Sequence, residues 1–255
     1  MQMQGNTILI TGGGSGIGRA LAEAFHKAGN QVIIAGRRKE ALADTIAANQ
    51  GMKSAAFDVT DAGSIAGLAE QIKRDYPSLN VVIHNAGIMR PEHLKKGELA
   101  DAEATIATNL LGPIRLNAAL LPFLLTKAKP VIMTVSSGLA FVPLAVTPTY
   151  CATKAAIHSY TQSLRYQLRD TPVQVIELAP PYVQTELMGP GQATDPNAMP
   201  LKDFIAETMQ ILRDNPDVKE VLVERVKPLR FAERGDYDGF CKMFNDRAAA
   251  SHADL

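Results

Sequence analysis

The chain has 255 residues, of which 46% are apolar and 20% charged. That is the mix of a folded globular protein with enough material for a sizeable core, and it excludes a disordered chain. Lys plus Arg is 26 and Asp plus Glu is 26, so the formal net charge is zero, without the basic excess of a general nucleic-acid binder.

The elements alternate along the chain. Residues 7–11 read as a strand and 17–28 as a helix with Leu21, Ala24, Phe25 and Ala28 on one face, stopped by Gly29-Asn30. A strand at 31–35, a helix at 40–48, a strand at 54–59, a helix at 65–76 and a strand at 81–84 follow. The pattern then predicts a long helix over 101–125, a strand at 131–136, a helix at 150–169 and a strand at 173–178. It closes with a helix at 201–212, a weaker strand at 220–224 and a loosely amphipathic stretch at 231–249. Short buried strands separated by helices predict an α/β fold: a doubly wound, mostly parallel Rossmann sheet with helices on both faces, in one domain spanning 1–255. Residues 186–215, rich in Gly and Pro near 189–200, are expected to form a mobile substrate-covering loop and helix within it.

The apolar stretch 106–125 carries Asn109, Arg115, Asn117 and two prolines, which fits a core helix better than a membrane span. Residues 1–6 offer no basic n-region, so no secretory signal and no membrane partner are expected. Cys151 and Cys241 are too few for a disulfide framework and fit a reducing compartment, so the cytoplasm is the expected location. No residues are assigned to a metal.

Immediately after the first strand comes Thr11-Gly-Gly-Gly-Ser-Gly-Ile-Gly18, with a helix opening at its end. Glycines let a backbone approach a diphosphate, and the amides of a helix N-terminus meet its charge. Gly12, Ser15, Gly16, Ile17 and Gly18 are the expected dinucleotide contacts. The second strand ends in Arg37-Arg38, with no acid to accept the adenosine ribose hydroxyls. Guanidinium suits a phosphate dianion, so NADP(H) is favoured and NAD(H) stays open. The alternative is a solvated basic start to the next helix.

The spacing G-x-x-x-G-x-G resembles that of the short-chain dehydrogenase/reductase family, in its compact single-domain branch, and further motifs extend the likeness. Asn85-Ala86-Gly87 resembles its N-A-G motif, Asp58 with Val59 its adenine contact (a cap for the following turn is the alternative for Asp58), and Tyr150-Cys-Ala-Thr-Lys154 its Tyr-x-x-x-Lys pair. Ser137 precedes Tyr150 by the family spacing, with Ser136 as rival, and Asn109 stands where the family has its helix-perturbing Asn. The resemblance covers roughly residues 7–185 and looks most like bacterial members named for the D-alanylation of teichoic acid.

It implies an NADPH-dependent oxidoreductase that moves a hydride between the nicotinamide and a small carbonyl or secondary alcohol. Tyr150 is then the general acid/base, Lys154 lowers its pKa from about 10, Ser137 polarises the substrate oxygen, and Asn109 holds a water near the lysine. Arg37 is the expected phosphate reader and Arg38 its backup. Homo-oligomers, dimers or tetramers, are also implied. One departure stands out: Ala179-Pro-Pro-Tyr-Val-Gln-Thr185 has Pro181 where the family has Gly, so the loop over the nicotinamide must take another path. Pro180, Val183 and Thr185 remain its expected contacts. Met89, Leu139, Phe141, Tyr182 and Met188 are candidates for the substrate wall, with ordinary packing the favoured alternative for each, while His84 is expected to be structural. The other readings are a non-catalytic dinucleotide-binding sensor on the same fold, and a sugar-nucleotide epimerase or dehydratase, which shares Tyr-x-x-x-Lys but not the glycine spacing.

Overall fold

The computed structural model describes residues 1–251. In chain order the elements are β1 (Thr7–Thr11), α1 (Gly16–Lys27), β2 (Gln31–Gly36), α2 (Lys39–Ala48), β3 (Lys53–Ala56), α3 (Ala62–Asp75) and β4 (Leu79–His84). There follow α4 (Ala100–Ile106), α5 (Gly112–Leu124), β5 (Val131–Val135), α6 (Pro148–Gln167) and β6 (Gln174–Leu178). The chain ends with α7 (Leu201–Asp214), β7 (Glu220–Val221), α8 (Lys227–Arg230) and α9 (Tyr237–Ser251). Among the described residues the strands form one parallel sheet in the order β3-β2-β1-β4-β5-β6-β7.

Successive strand residues point to opposite faces, and both faces are covered. Ile8 and Ile10 of β1 join Ile34, Ile83 and Met133 under Phe25 of α1 and Phe204 of α7. Leu9 lies on the other side with Ile33, Val82 and Ile132, under Ile72 of α3, Leu116 and Leu120 of α5 and Leu164 of α6. The runs of consecutive buried apolar residues at 8–10, 32–35, 81–83 and 131–133 are why these segments form a two-sided sheet instead of an alternating one.

Three predicted boundaries move. The long helix is broken into α4 and α5 by a π-helical turn over Ala107–Leu111, centred on Asn109. The third strand stops at Ala56 because the Asp58 N–H leaves the ladder for Ser64 Oγ at 2.9 Å. The last strand keeps only two residues: β6, its pairing partner, ends before Pro180-Pro181, and the Glu224 N–H turns to Glu207 Oε1. The amphipathic stretch near the C-terminus is a short turn over Ala232–Arg234 followed by α9. Asn245 of α9 accepts the Ala145 N–H at 2.7 Å and donates to Pro143 O at 3.0 Å, fixing the helix on the loop after β5.

Candidate active site

The sheet order reverses direction between β1 and β4, and the loops after β1, β4, β5 and β6 gather at the strand C-terminal ends. This is where open α/β sheets bind ligands. Gly12 and Gly16 both take positive φ, 69° and 51°. A Cβ on Gly18 would lie 2.3 Å from both Asn85 Nδ2 and Gly12 O, so only glycine closes this turn. Ser15 precedes α1 but its side chain caps none of the helix amides, and the first turn holds no acid. Those amides thus face the turn, which suits a phosphate. Ile17 packs against the core from the helix side.

Asn85 ties this turn to β4. Its Nδ2 donates to Thr11 O at 3.0 Å, while the Asn85 and Ala86 N–H groups both donate to Thr11 Oγ1 at 3.1 Å. Gly87 lies against Asn109, whose Oδ1 would be 3.3 Å from a Cβ there. Thr11 is a residue the motif reading passed over; its signal was its place directly before the first glycine.

At the other end of the cleft Arg37 and Arg38 are exposed. Arg38 reaches back to Ser15 Oγ at 2.6 Å. Asp58 Oδ1 accepts the N–H and hydroxyl of Thr60 at 2.9 and 2.8 Å, the turn-capping geometry that also explains an Asp here. Burial raises the Asp58 carboxyl, but the two Thr60 bonds and the charge of Arg37 outweigh it and leave it below the usual range. The Val59 side chain belongs to the core, so its expected contact would run through its backbone.

Tyr150 and Lys154 stand one turn apart on α6 and both are buried. The Ser137 hydroxyl works to lower the pKa of the buried Tyr150 phenol. The same oxygen accepts the Leu139 N–H at 3.1 Å. Ser136, the rival, points its hydroxyl at Leu178 O instead. Lys154 Nζ donates to Val135 O at 2.8 Å and lies 5.5 Å from the Tyr150 ring centre. Burial brings Lys154 down to about 8, with Glu177 working upwards. Burial pushes the phenol above its ordinary value, and Ser137 works against that rise. Burial thus works against the lowered phenol expected from the sequence. Asn109 clamps Ile88, accepting its N–H and donating to its carbonyl, each at 2.9 Å, and donates to Thr153 Oγ1 at 3.2 Å.

The loop after β6 keeps a defined path despite Pro181. Pro180 O accepts the Gly138 N–H at 2.8 Å, and Val183 pairs with Met199 in an isolated parallel bridge. Gln192, which no motif marked, donates to Val183 O at 2.8 Å and to Thr185 Oγ1 at 3.0 Å. Thr185 lies over the glycine turn, its Cβ 3.6 Å from where a Gly16 Cβ would be. Around Tyr150 gather Met89, Cys151, Leu139, Leu144 and Met188. Phe141 and Tyr182 are not part of that wall. Phe141 stacks edge-on to His158 at 4.9 Å, and the Tyr182 hydroxyl donates to Asp195 Oδ2 at 3.0 Å. His84 is structural: burial lowers it to about 4, so it is neutral and its Nε2–H donates to Asn117 Oδ1 at 2.7 Å.

A doubly wound sheet with a glycine turn at its switch point defines a nucleotide-binding α/β protein, and comparison with known proteins narrows the class. The sequence model described as short chain dehydrogenase matches residues 6–195. The uncharacterized oxidoreductase DltE of Bacillus subtilis is 40% identical over 250 residues, covering 96% of this chain and 98% of that one. An uncharacterized oxidoreductase of Staphylococcus aureus is 31% identical over 225 residues, 86% of this chain and 96% of that one. The chain belongs to the short-chain dehydrogenase/reductase family. Among solved structures, a member from Burkholderia phymatum in complex with NAD superposes with a TM-score of 0.81 at 20% identity, covering 92% of this chain and 95% of that one. One from Burkholderia cenocepacia in complex with NADP gives 0.80 at 24% identity, covering 94% and 97%. Among the described residues no helix is long and apolar enough to cross a membrane.

Proposed function

We propose that the protein is an NADP(H)-preferring oxidoreductase acting on a small, largely apolar carbonyl or secondary alcohol, with Tyr150 as general acid/base. The observation that carries this is the meeting of the Tyr150 phenol, the Ser137 hydroxyl and the buried Lys154 on the same sheet edge as the glycine turn. Bound nicotinamide supplies the hydride chemistry. The turn and the amides of α1 would hold the diphosphate, Thr185 and the backbone of Val183 would serve the nicotinamide, and Lys154 would bind the ribose hydroxyls. In carbonyl reduction Tyr150 gives its proton to the substrate oxygen while Ser137 donates a hydrogen bond to the same oxygen as charge develops. Burial keeps the phenol in its acid form beforehand. The charge of Lys154 stabilises the phenolate left behind. Asn109 keeps Ile88 and the loop after β4 in place beneath the reacting groups.

The apolar wall of Met89, Leu139, Leu144 and Met188 favours a substrate without charge near its reacting carbon. The loop over residues 186–200 brings Met188 to it, with Gln192 fastening the near end, whereas α7 packs Phe204 into the main core. The protein then works in the cytoplasm as a dimer or tetramer, with no nucleic-acid or membrane partner.

The test is a panel of carbonyls and alcohols with NADPH and NADH, followed by reduced-nicotinamide absorbance. NADPH is expected to be the better cofactor, and Arg37→Ala to cut that preference by about tenfold or more. A clear preference for NADH contradicts the cofactor assignment. Binding of either cofactor with no turnover across the panel favours a sensor.

A further inference from the structure

Behind Lys154 lies a charge cluster that this reaction scheme does not use. Tyr150, Lys154 and His158 follow one another at i, i+4 spacing and share one face of α6. Below that face, Glu177 sits within β6, in register with Thr134 of β5 and Glu220 of β7. It is 1% exposed, and the strand's other buried residues are Val175, Ile176 and Leu178. A carboxylate in such a place destabilises the fold unless charges and hydrogen bonds compensate it. His158 Nδ1 meets its two oxygens at 2.8 and 3.0 Å. The charges of Lys154 from α6 and Arg230 from α8 also feel it.

Glu220 of β7 takes the Arg230 guanidinium through two bonds, 2.9 and 3.1 Å, and Phe141 closes the cluster, with Arg230 4.7 Å over its ring. The ligand atoms of His158, Glu177 and Glu220 lie within 4.8 Å of one another. Arg230 already engages Glu220, and His158 engages Glu177, so the group is a protein charge network and not a vacant cation site.

We propose that Glu177, held in place by His158, is a positioning residue that keeps Lys154 charged for the proton transfer at Tyr150. This rests on the function proposed above. Lys154 Nζ is anchored at Val135 O, 2.8 Å away, and Val135 directly follows Thr134, the residue in register with the buried Glu177. Burial drives Lys154 towards its neutral form, and Glu177 works in the opposite direction. A neutral lysine gives no support to a phenolate. Glu220 is neutralised by Arg230, which leaves Glu177 as the carboxylate whose field reaches the lysine.

The whole chain, labelled with carbon-13 at lysine Cε, reports the charge of Lys154 by NMR, and Lys154→Met assigns the resonance. In Glu177→Gln the Lys154 titration is expected to fall by about one pH unit, and Glu177→Asp to retain most of the wild-type value. The alkaline limb of NADPH-driven reduction should move down in step. If the single variant does not fold, His158→Phe/Glu177→Met removes both partners together, leaves neither unpaired, and should produce the same fall. An unchanged Lys154 titration in either folded variant overturns the inference. A shifted titration in a protein that oxidises NADPH with none of the carbonyls upholds the electrostatic role and defeats the proposed reaction instead.

Discussion

Solvent exclusion acts on His84 and Lys154 in the same direction, disfavouring the charged form of each, and the two side chains answer it differently. His84, at about 4, gives up its charge and donates to Asn117 as a neutral ring. Lys154, at about 8, keeps most of its charge at neutral pH with Glu177 behind it. The His84 shift has a signed consequence for stability. The unfolded chain takes up a proton near 6.5 and the folded one only near 4, so stability is lost as pH falls through that window. His84→Asn should remove about 3 kcal/mol of that loss, read from chemical unfolding at a series of pH values. Unchanged acid sensitivity in the variant would contradict the assignment of a neutral, buried ring. At this scale the sequence makes Tyr150, Lys154, Ser137 and Asn109 legible, because their order and spacing are local facts. Glu177 and His158 are not legible: they stand on different elements, and only the packing of α6 over β6 brings them together. Phe141 turns out to be packing, the alternative the sequence favoured for it, but its partner His158 is likewise invisible in the chain order.

The glycine turn shows what one element contributes when its backbone, not its side chains, forms the site. Gly18→Ala would force its Cβ against Asn85 Nδ2 and Gly12 O, neither of which has slack while Asn85 holds β1 and β4 together. NADPH affinity is expected to fall by about tenfold or more, measured by fluorescence titration, in a protein whose circular dichroism is unaltered. Retained affinity would mean that the diphosphate does not rest on this turn. Strand and helix identities were readable here from buried runs and 3.6-residue periodicity. Element ends were less so. The π-turn at Asn109 leaves no mark on hydrophobic spacing, and β7 is short because its partner β6 ends before a proline pair far away in the sequence.

For the molecule as a whole, zero net charge and a complete two-sided core leave association to shape. A groove between α5 and α6 is lined by Ile114, Ala118, Leu121, Tyr160 and Leu164, and helix pairs of this kind associate in the family the sequence resembles. Ala118 is exposed there. Light scattering behind size exclusion should give a dimer or tetramer, and Ala118→Arg should lower that mass towards the monomer. A wild-type monomer would contradict the expectation.

The claim on which the rest depends is that the Tyr150 hydroxyl carries the proton. Tyr150→Phe removes that one oxygen from a buried ring and leaves the glycine turn and Lys154 in place. With any substrate that the native protein reduces, turnover should fall by about a hundredfold to ten-thousandfold, while NADPH binds as tightly as before. Turnover that survives in Tyr150→Phe, with the cofactor still bound, would contradict it.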